Sequence, residues 1–98
     1  MSAYLIVNYD VDDADLYGEY QAGAMGALRI GSECEVVVFD PESEQIEGDS
    51  TGKQTVVLKF ESAEKAKEIY ESGEYQEVVG KRHASTSKHF AVLVNGLA

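Results

Sequence analysis

Glu35-Val36-Val37-Val38-Phe39 decides how this chain can fold. A run of β-branched and aromatic side chains reads as a strand. Successive side chains of a strand point to opposite faces. Val36 and Val38 therefore share one face, and Val37 and Phe39 share the other, so both faces are apolar. The same holds for Phe90-Ala91-Val92-Leu93-Val94, where Phe90, Val92 and Val94 oppose Ala91 and Leu93. In Gln54 to Phe60 (QTVVLKF), Val56, Leu58 and Phe60 oppose Val57. A sheet with helices on one face and water on the other alternates cleanly between apolar and polar. These strands do not, so the sheet needs cover on both sides.

The remaining elements fall into place around these strands. Tyr4 to Val11 (YLIVNYDV) reads as a first strand. Asp12-Asp13 offers a helix N-cap, and Asp15 suits the positive end of the helix dipole. Leu16, Tyr20, Ala24 and Ala27 or Leu28 then recur at helical spacing, with Tyr17 at the flank of that stripe. Gly31 breaks the chain before the second strand, Glu35 to Phe39. Asp40-Pro41-Glu42-Ser43 reads as a turn. Gln45-Ile46-Glu47 suggests a short extra strand before the polar loop Gly48-Asp49-Ser50-Thr51-Gly52. Ser62 caps a second helix bearing Ala63, Ala66, Ile69 and Tyr70. Ser72-Gly73 interrupts it, and a further helix from about Glu74 carries Tyr75, Val78, Val79 and Arg82. Phe90 to Val94 is the last strand. The order strand, helix, strand, strand, helix, strand defines a single α+β domain, residues 1–98, of ferredoxin-like βαββαβ type with an antiparallel four-stranded sheet.

Two helices cover one face of such a sheet. Leaving about five to eight large apolar side chains bare on the other would forfeit on the order of 10 kcal/mol. That rivals the whole stability of a small domain. A second copy of the sheet, related by a two-fold axis, is the simplest cover. The expected partner is therefore another copy of this chain, packed through the sheet faces. Eighteen acidic against eight basic residues give a net charge of −10. Nucleic acid and anionic membranes repel such a surface, and only Lys81-Arg82-His83 forms a short basic run. The N-terminus shows no basic, then apolar, leader pattern, and no apolar stretch is long enough to span a bilayer. Cytoplasmic residence is the default expectation. Cys34 stands alone between Glu33 and Glu35, which disfavour its thiolate.

Several side chains carry chemical potential. Tyr75, Val78, Val79 and Arg82 lie at i, i+3, i+4 and i+7, on one helical face. An arginine on an apolar stripe either pairs with an acid, snorkels to water, or aims its guanidinium into a cleft to take a carboxylate or enolate. Glu47 is the expected acidic counterpart, as ion-pair partner or as general base if buried. Tyr4, Tyr20, Tyr70 and Tyr75 are core side chains or the lining of an aromatic-ligand pocket. His83 and His89 do not match a zinc spacing, and no metal or other cofactor is expected. The aspartates between Asp10 and Asp15 lack the glycine and terminal glutamate of a calcium loop.

Nearly the whole chain resembles the domain of unknown function 1330 family, of the dimeric α/β-barrel superfamily. The resemblance rests on Ala3-Tyr4-Leu5-Ile6-Val7, Tyr17 and Tyr20, Glu47-Gly48-Asp49 and Val57-Leu58-Lys59-Phe60-Glu61-Ser62. It continues through Tyr70-Glu71-Ser72-Gly73-Glu74-Tyr75-Gln76, Arg82 and Asn95-Gly96-Leu97. The chain departs from the family pattern at Gly73, Ser50 and Gln54, where a proline, an aromatic residue and an arginine are usual. The resemblance implies protomers whose sheets pair face to face into a dimeric α/β barrel, and no fixed reaction. Superfamily relatives include cofactor-free monooxygenases, haem-binding enzymes, muconolactone isomerases and ligand-sensing domains. Three readings stand at this point. One is a protein that binds a small anionic or aromatic molecule through Arg82 and tyrosines. Another is a metal-free monooxygenase or isomerase acting on an aromatic or carbonyl compound, using Arg82 with Glu47 or His83. The third is a module whose dimer is its purpose.

Overall fold

The computed structural model describes residues 1–49 and 51–97; Ser50, in the polar loop, lies outside them. The elements are β1 (Ala3–Val11), α1 (Ala14–Ala27), β2 (Cys34–Asp40), β3 (Gln54–Phe60), α2 (Ala63–Tyr70), α3 (Gly73–Ser85) and β4 (Thr86–Asn95). The four strands form one antiparallel sheet in the order β2-β3-β1-β4. Among the described residues no helix is long and apolar enough to cross a membrane.

Each helix begins where a side-chain oxygen takes an otherwise orphaned backbone N–H. Asp13 accepts from Leu16 N at 3.1 Å, Ser62 from Lys65 N at 3.1 Å and Ser72 from Tyr75 N at 3.3 Å. Ser72 also donates to the Ile69 carbonyl at 2.7 Å, so one hydroxyl closes α2 and opens α3. Helix α1 ends in a paired reverse turn. Ile30 N donates to Met25 O and Arg29 N to Gly26 O, with Arg29 at φ 58 in the position glycine usually takes.

The helices lie on the face built from Leu5, Val7 and Tyr9 of β1 and Val56, Leu58 and Phe60 of β3, all buried. The other face carries Tyr4 and Ile6, half-buried, and Phe90, Val92 and Val94 of β4, exposed by 44, 44 and 39%. One expectation about β2 needs correction. Val36 pairs with Leu58, but Val38 pairs with Val57 and Phe39 with Val56. Directly paired residues share a face. A bulge at Val37 thus shifts the alternation, putting Val36 and Phe39 together on the helix side and Val38 on the bare side. A second bulge lies in β4. Asn8 pairs with Phe90 and Asp10 with Ser87, leaving an extra residue on β4, where Lys88 takes φ 55.

The expected strand at Gln45-Ile46-Glu47 does not form, and all three residues are exposed. The Gln45 side chain turns back to the Gly48 carbonyl and the Thr51 hydroxyl, closing the loop on itself, and Gly48 sits at φ 88. The loop is then pinned to β1. Gly52 N donates to Asn8 Oδ1 at 2.6 Å, and Asn8 Nδ2 donates to Gly52 O at 3.1 Å and Thr55 Oγ1 at 2.9 Å. A Cβ on Gly52 would lie 2.2 Å from the Tyr9 carbonyl carbon and 2.5 Å from Asp10 N. Both are backbone atoms of the sheet and cannot move aside. Gly52→Ala is therefore expected to destabilise the fold by about 1–3 kcal/mol or more, read as a lower urea midpoint.

Candidate functional site

Arg82 is placed by three elements at once. Its carbonyl accepts from Thr86 Oγ1 at 2.6 Å and Ser85 Oγ at 3.2 Å, which fixes the last turn of α3. Three residues on, the Ser85 carbonyl takes the N–H groups of both Asp12 and Asp13, tying the end of α3 to the start of α1. Gly23 lets α1 approach α3 closely, since a Cβ there would meet Val78 Cγ1 at 2.7 Å. The Arg82 side chain is consequently driven inward and is only 3% exposed.

Tyrosines surround the guanidinium. Nη1 donates to Tyr75 Oη at 3.2 Å and Nη2 to Tyr70 Oη at 3.4 Å. The guanidinium carbon lies 5.6 Å from the Tyr9 ring centre and 6.0 Å from that of Tyr20, within reach of cation–π attraction. Tyr20 and Tyr75 share a hydroxyl–hydroxyl bond of 2.7 Å. A second pair, Tyr9 and Tyr17, share one of 2.5 Å, and Gln54 Nε2 donates to Tyr17 Oη at 2.6 Å. Among the described residues no carboxylate pairs with Arg82, and its Nε–H has no partner. Burial pushes the hydroxyl pKa values of Tyr17, Tyr20 and Tyr75 well above the ordinary tyrosine range. These hydroxyls are neutral at physiological pH and supply no counter-charge. A fixed cation is thus shut in with neutral hydroxyls and aromatic faces.

A cavity of about 110 Å³ adjoins this cluster, lined by Tyr9, Tyr17, Tyr20, Tyr75 and Arg82 and by aliphatic side chains of the sheet and α1. Its exposed rim is formed by Gln21 and Met25 of α1 and by Val36 and Phe39 of β2. The bulge at Val37 is what brings both β2 side chains to that rim.

Of the residues singled out from the sequence, Tyr20, Tyr70, Tyr75 and Arg82 come together. Tyr4 does not: it pairs with Lys59 and Val94 and stands on the bare face of the sheet. Glu47 does not either. It is exposed in the β2–β3 loop and forms no ion pair with Arg82, so the burial a general base needs is missing. Its loop is closed locally by Gln45 and does not fold toward α3. His83 lies with Nε2 3.4 Å from Arg82 Nη2, exposed, its ring stacked on His89 at 5.3 Å. Desolvation, then the Arg82 charge, then His89 lower its pKa below the ordinary imidazole value. Among the described residues no group of three or more His, Cys, Asp or Glu converges to hold a metal. Cys34 is buried, and burial pushes its thiol up to about 11.

Tyr9, Tyr17 and Gln54 are site residues that the sequence reading missed. Tyr9 has the strand parity of Leu5 and Val7, which marks it as inward-facing. Tyr17 precedes Tyr20 by one helical turn and Ala24 by two, the spacing of a buried stripe. Gln54 stands out in the sequence only as a departure from the family pattern, at a position where an arginine is usual.

An antiparallel sheet of this order with its helices on one face is the ferredoxin-like fold, and solved structures with that fold superpose on the chain. One is a protein of unknown function from Rhodopseudomonas palustris, with TM-score 0.78 and 14% identity over 99% of this chain and 83% of the other. Another is a dimeric ferredoxin-like protein of unknown function from Jannaschia sp. CCS1, with TM-score 0.75 and 14% identity over 98% of this chain and 100% of the other. A DABB family protein with a ferredoxin-like fold from Mesorhizobium loti gives TM-score 0.65 and 11% identity over 99% and 98%. No curated protein matches the chain. The chain belongs to the family described as a domain of unknown function (DUF1330), which matches residues 2–97.

The buried hydroxyls have a consequence for pH. Each has a folded-state pKa above its unfolded value near 10.0. The unfolded chain loses these protons first, so their contribution to stability is complete below about pH 10 and is lost as pH rises further. A spectrophotometric titration is expected to show Tyr17, Tyr20 and Tyr75 ionising only with alkaline unfolding. Reversible ionisation of every tyrosine near pH 10 in the folded protein would contradict their placement.

Proposed function

We propose that the chain is a one-domain protomer of a homodimer that binds a small organic anion, with Arg82 as its anchor in the cavity between α1 and the sheet. One observation carries this reading: the Arg82 guanidinium is buried, has no carboxylate partner among the described residues and keeps an Nε–H unpaired among them, beside a cavity that it lines. A buried cation left without a counter-ion costs several kcal/mol, so a stability role alone is a poor account of it. A ligand carboxylate or enolate would supply the missing charge, and the tyrosine rings would pack its apolar body. The enzymatic alternative rests on His83, whose imidazole lies beside Arg82 and is held neutral by its surroundings. There Arg82 would stabilise an oxyanion while His83 moved a proton.

The homodimer is supported by the bare sheet face with Val38, Phe90, Val92 and Val94 exposed. Ferredoxin-like structures from Jannaschia and from Thermobifida fusca that superpose on the chain are dimeric. Sedimentation is expected to give a dimer at micromolar concentration, and Val92→Glu to give a monomer; a wild-type monomer would defeat this part of the proposal.

Arg82→Met tests the anchor. It removes the unmet charge and keeps an apolar side chain of similar length, so the ligand-free protein is expected to keep or raise its Tm. Thermal shifts produced by small aliphatic carboxylates such as levulinate are expected to vanish. A Tm lowered by 4 °C or more, the equivalent of about 1 kcal/mol in a domain of this size, would instead make Arg82 a structural residue.

A further inference from the structure

The cavity has two polar poles, and the second is not explained by a simple anion. Arg82 with Tyr20, Tyr70 and Tyr75 forms the charged pole. Tyr9 and Tyr17, which line the same cavity, form a neutral one, with Gln54 behind them. The two poles adjoin, since the Tyr17 and Tyr20 ring centres are 5.5 Å apart and the Arg82 guanidinium carbon is 5.6 Å from the Tyr9 ring centre.

A count of protons shows what the neutral pole lacks. A tyrosine hydroxyl has one proton to donate and lone pairs to accept. Gln54 Nε2 donates to Tyr17, so it brings a proton into the pair rather than taking one. Between Tyr9 and Tyr17 a single proton is shared in the 2.5 Å contact. Whichever hydroxyl gives that proton, the other keeps one that meets no acceptor among the described residues. The buried pole is therefore a donor in surplus, and a buried donor without an acceptor is costly. At the charged pole, the Nε–H of Arg82 is likewise unpaired, and the Tyr20–Tyr75 pair, which accepts from Arg82 Nη1, also has one proton over; a carboxylate on Arg82 takes these, which leaves the Tyr9–Tyr17 proton for a second acceptor.

We infer that the ligand is a small acid bearing a second oxygen acceptor, a keto or hydroxyl group, with its carboxylate on Arg82 and the second oxygen on the Tyr9–Tyr17 pair. This rests on the reading of Arg82 as an anion anchor and adds a chemical class to it. Tyr9 and Tyr17 become the residues that set specificity, and Gln54 positions Tyr17. The volume limits size as well. A cavity of about 110 Å³ is smaller than the roughly 150 Å³ that holds benzene, so the enclosed part of the ligand is compact.

Levulinate and valerate test the inference, because they share a chain and a carboxylate and differ by the keto oxygen. Isothermal titration with the wild-type protein is expected to show levulinate binding at least about tenfold tighter, the effect of giving a buried donor its acceptor. In the double variant Tyr9→Phe, Tyr17→Phe that ratio is expected to fall to about one while valerate affinity is retained, which also reports an intact fold. Equal affinities in the wild type, both lost in Arg82→Met, would overturn the second pole and leave the Arg82 anchor standing. Failure of the wild type to bind either acid at millimolar concentration would overturn both. Should the double variant not fold, the wild-type ratio alone decides.

Discussion

A guanidinium cannot be deprotonated at any pH a folded protein survives, so shutting one away from water constrains everything around it. In this chain the constraint is met halfway. Arg82 is held rigidly by the end of α3, and aromatic faces and phenol oxygens soften its desolvation. Among the described residues no carboxylate completes it. Tyr20 and Tyr75 cannot do so, because the burial that brings them close also keeps their hydroxyls protonated. The helix layer, the tyrosine pairs and the cavity can all be read as the setting that this one charge requires.

The sheet supplies the floor of that setting. Tyr9 reaches the cluster because β1 is central and its inward side alternates strictly as Leu5, Val7 and Tyr9. Tyr17 and Tyr20 descend from α1, Tyr70 and Tyr75 from the α2–α3 junction that Ser72 closes on both sides. Four tyrosines from four elements thus meet one arginine, and Tyr17 stands beside two of them. Among the described residues the opposite face of the same sheet has no buried charge, and its buried Asn8 serves to hold the β2–β3 loop. Its exposed valines and Phe90 belong to a different task, the association proposed for two copies of the chain.

Local signals made most of the fold legible. Caps at Asp12-Asp13 and Ser62, the break at Ser72-Gly73, the turn at Pro41 and the apolar runs placed the helices and strands. Arg82 was legible for the same reason: its spacing from Tyr75 and Val79 is a property of the helix alone. What stayed hidden depended on contacts between distant segments. The bulge at Val37 is set by pairing with β3, so a strict alternation misplaced Val38 and Phe39. Glu47 looked like a partner for Arg82 because both were chemically suitable, yet Gln45 folds their loop onto itself. Tyr4 carries the same side chain as Tyr9 but the wrong parity. Gln54 is an ordinary polar residue at a strand start until Tyr17 arrives above it.

The two bulges have a further consequence. β2 and β4 are the outer strands, and each carries one, at Val37 and around Lys88. An outer strand with regular geometry and apolar side chains invites another chain to add along its free backbone, and such addition has no natural end. An irregular edge interrupts the row of amides that a newcomer would need to match. Irregular edges therefore disfavour growth in the plane of the sheet, while the bare apolar face points perpendicular to that plane, where contact between two faces is self-limiting. What look like faults in the weave are a barrier to edge-to-edge stacking of these apolar strands.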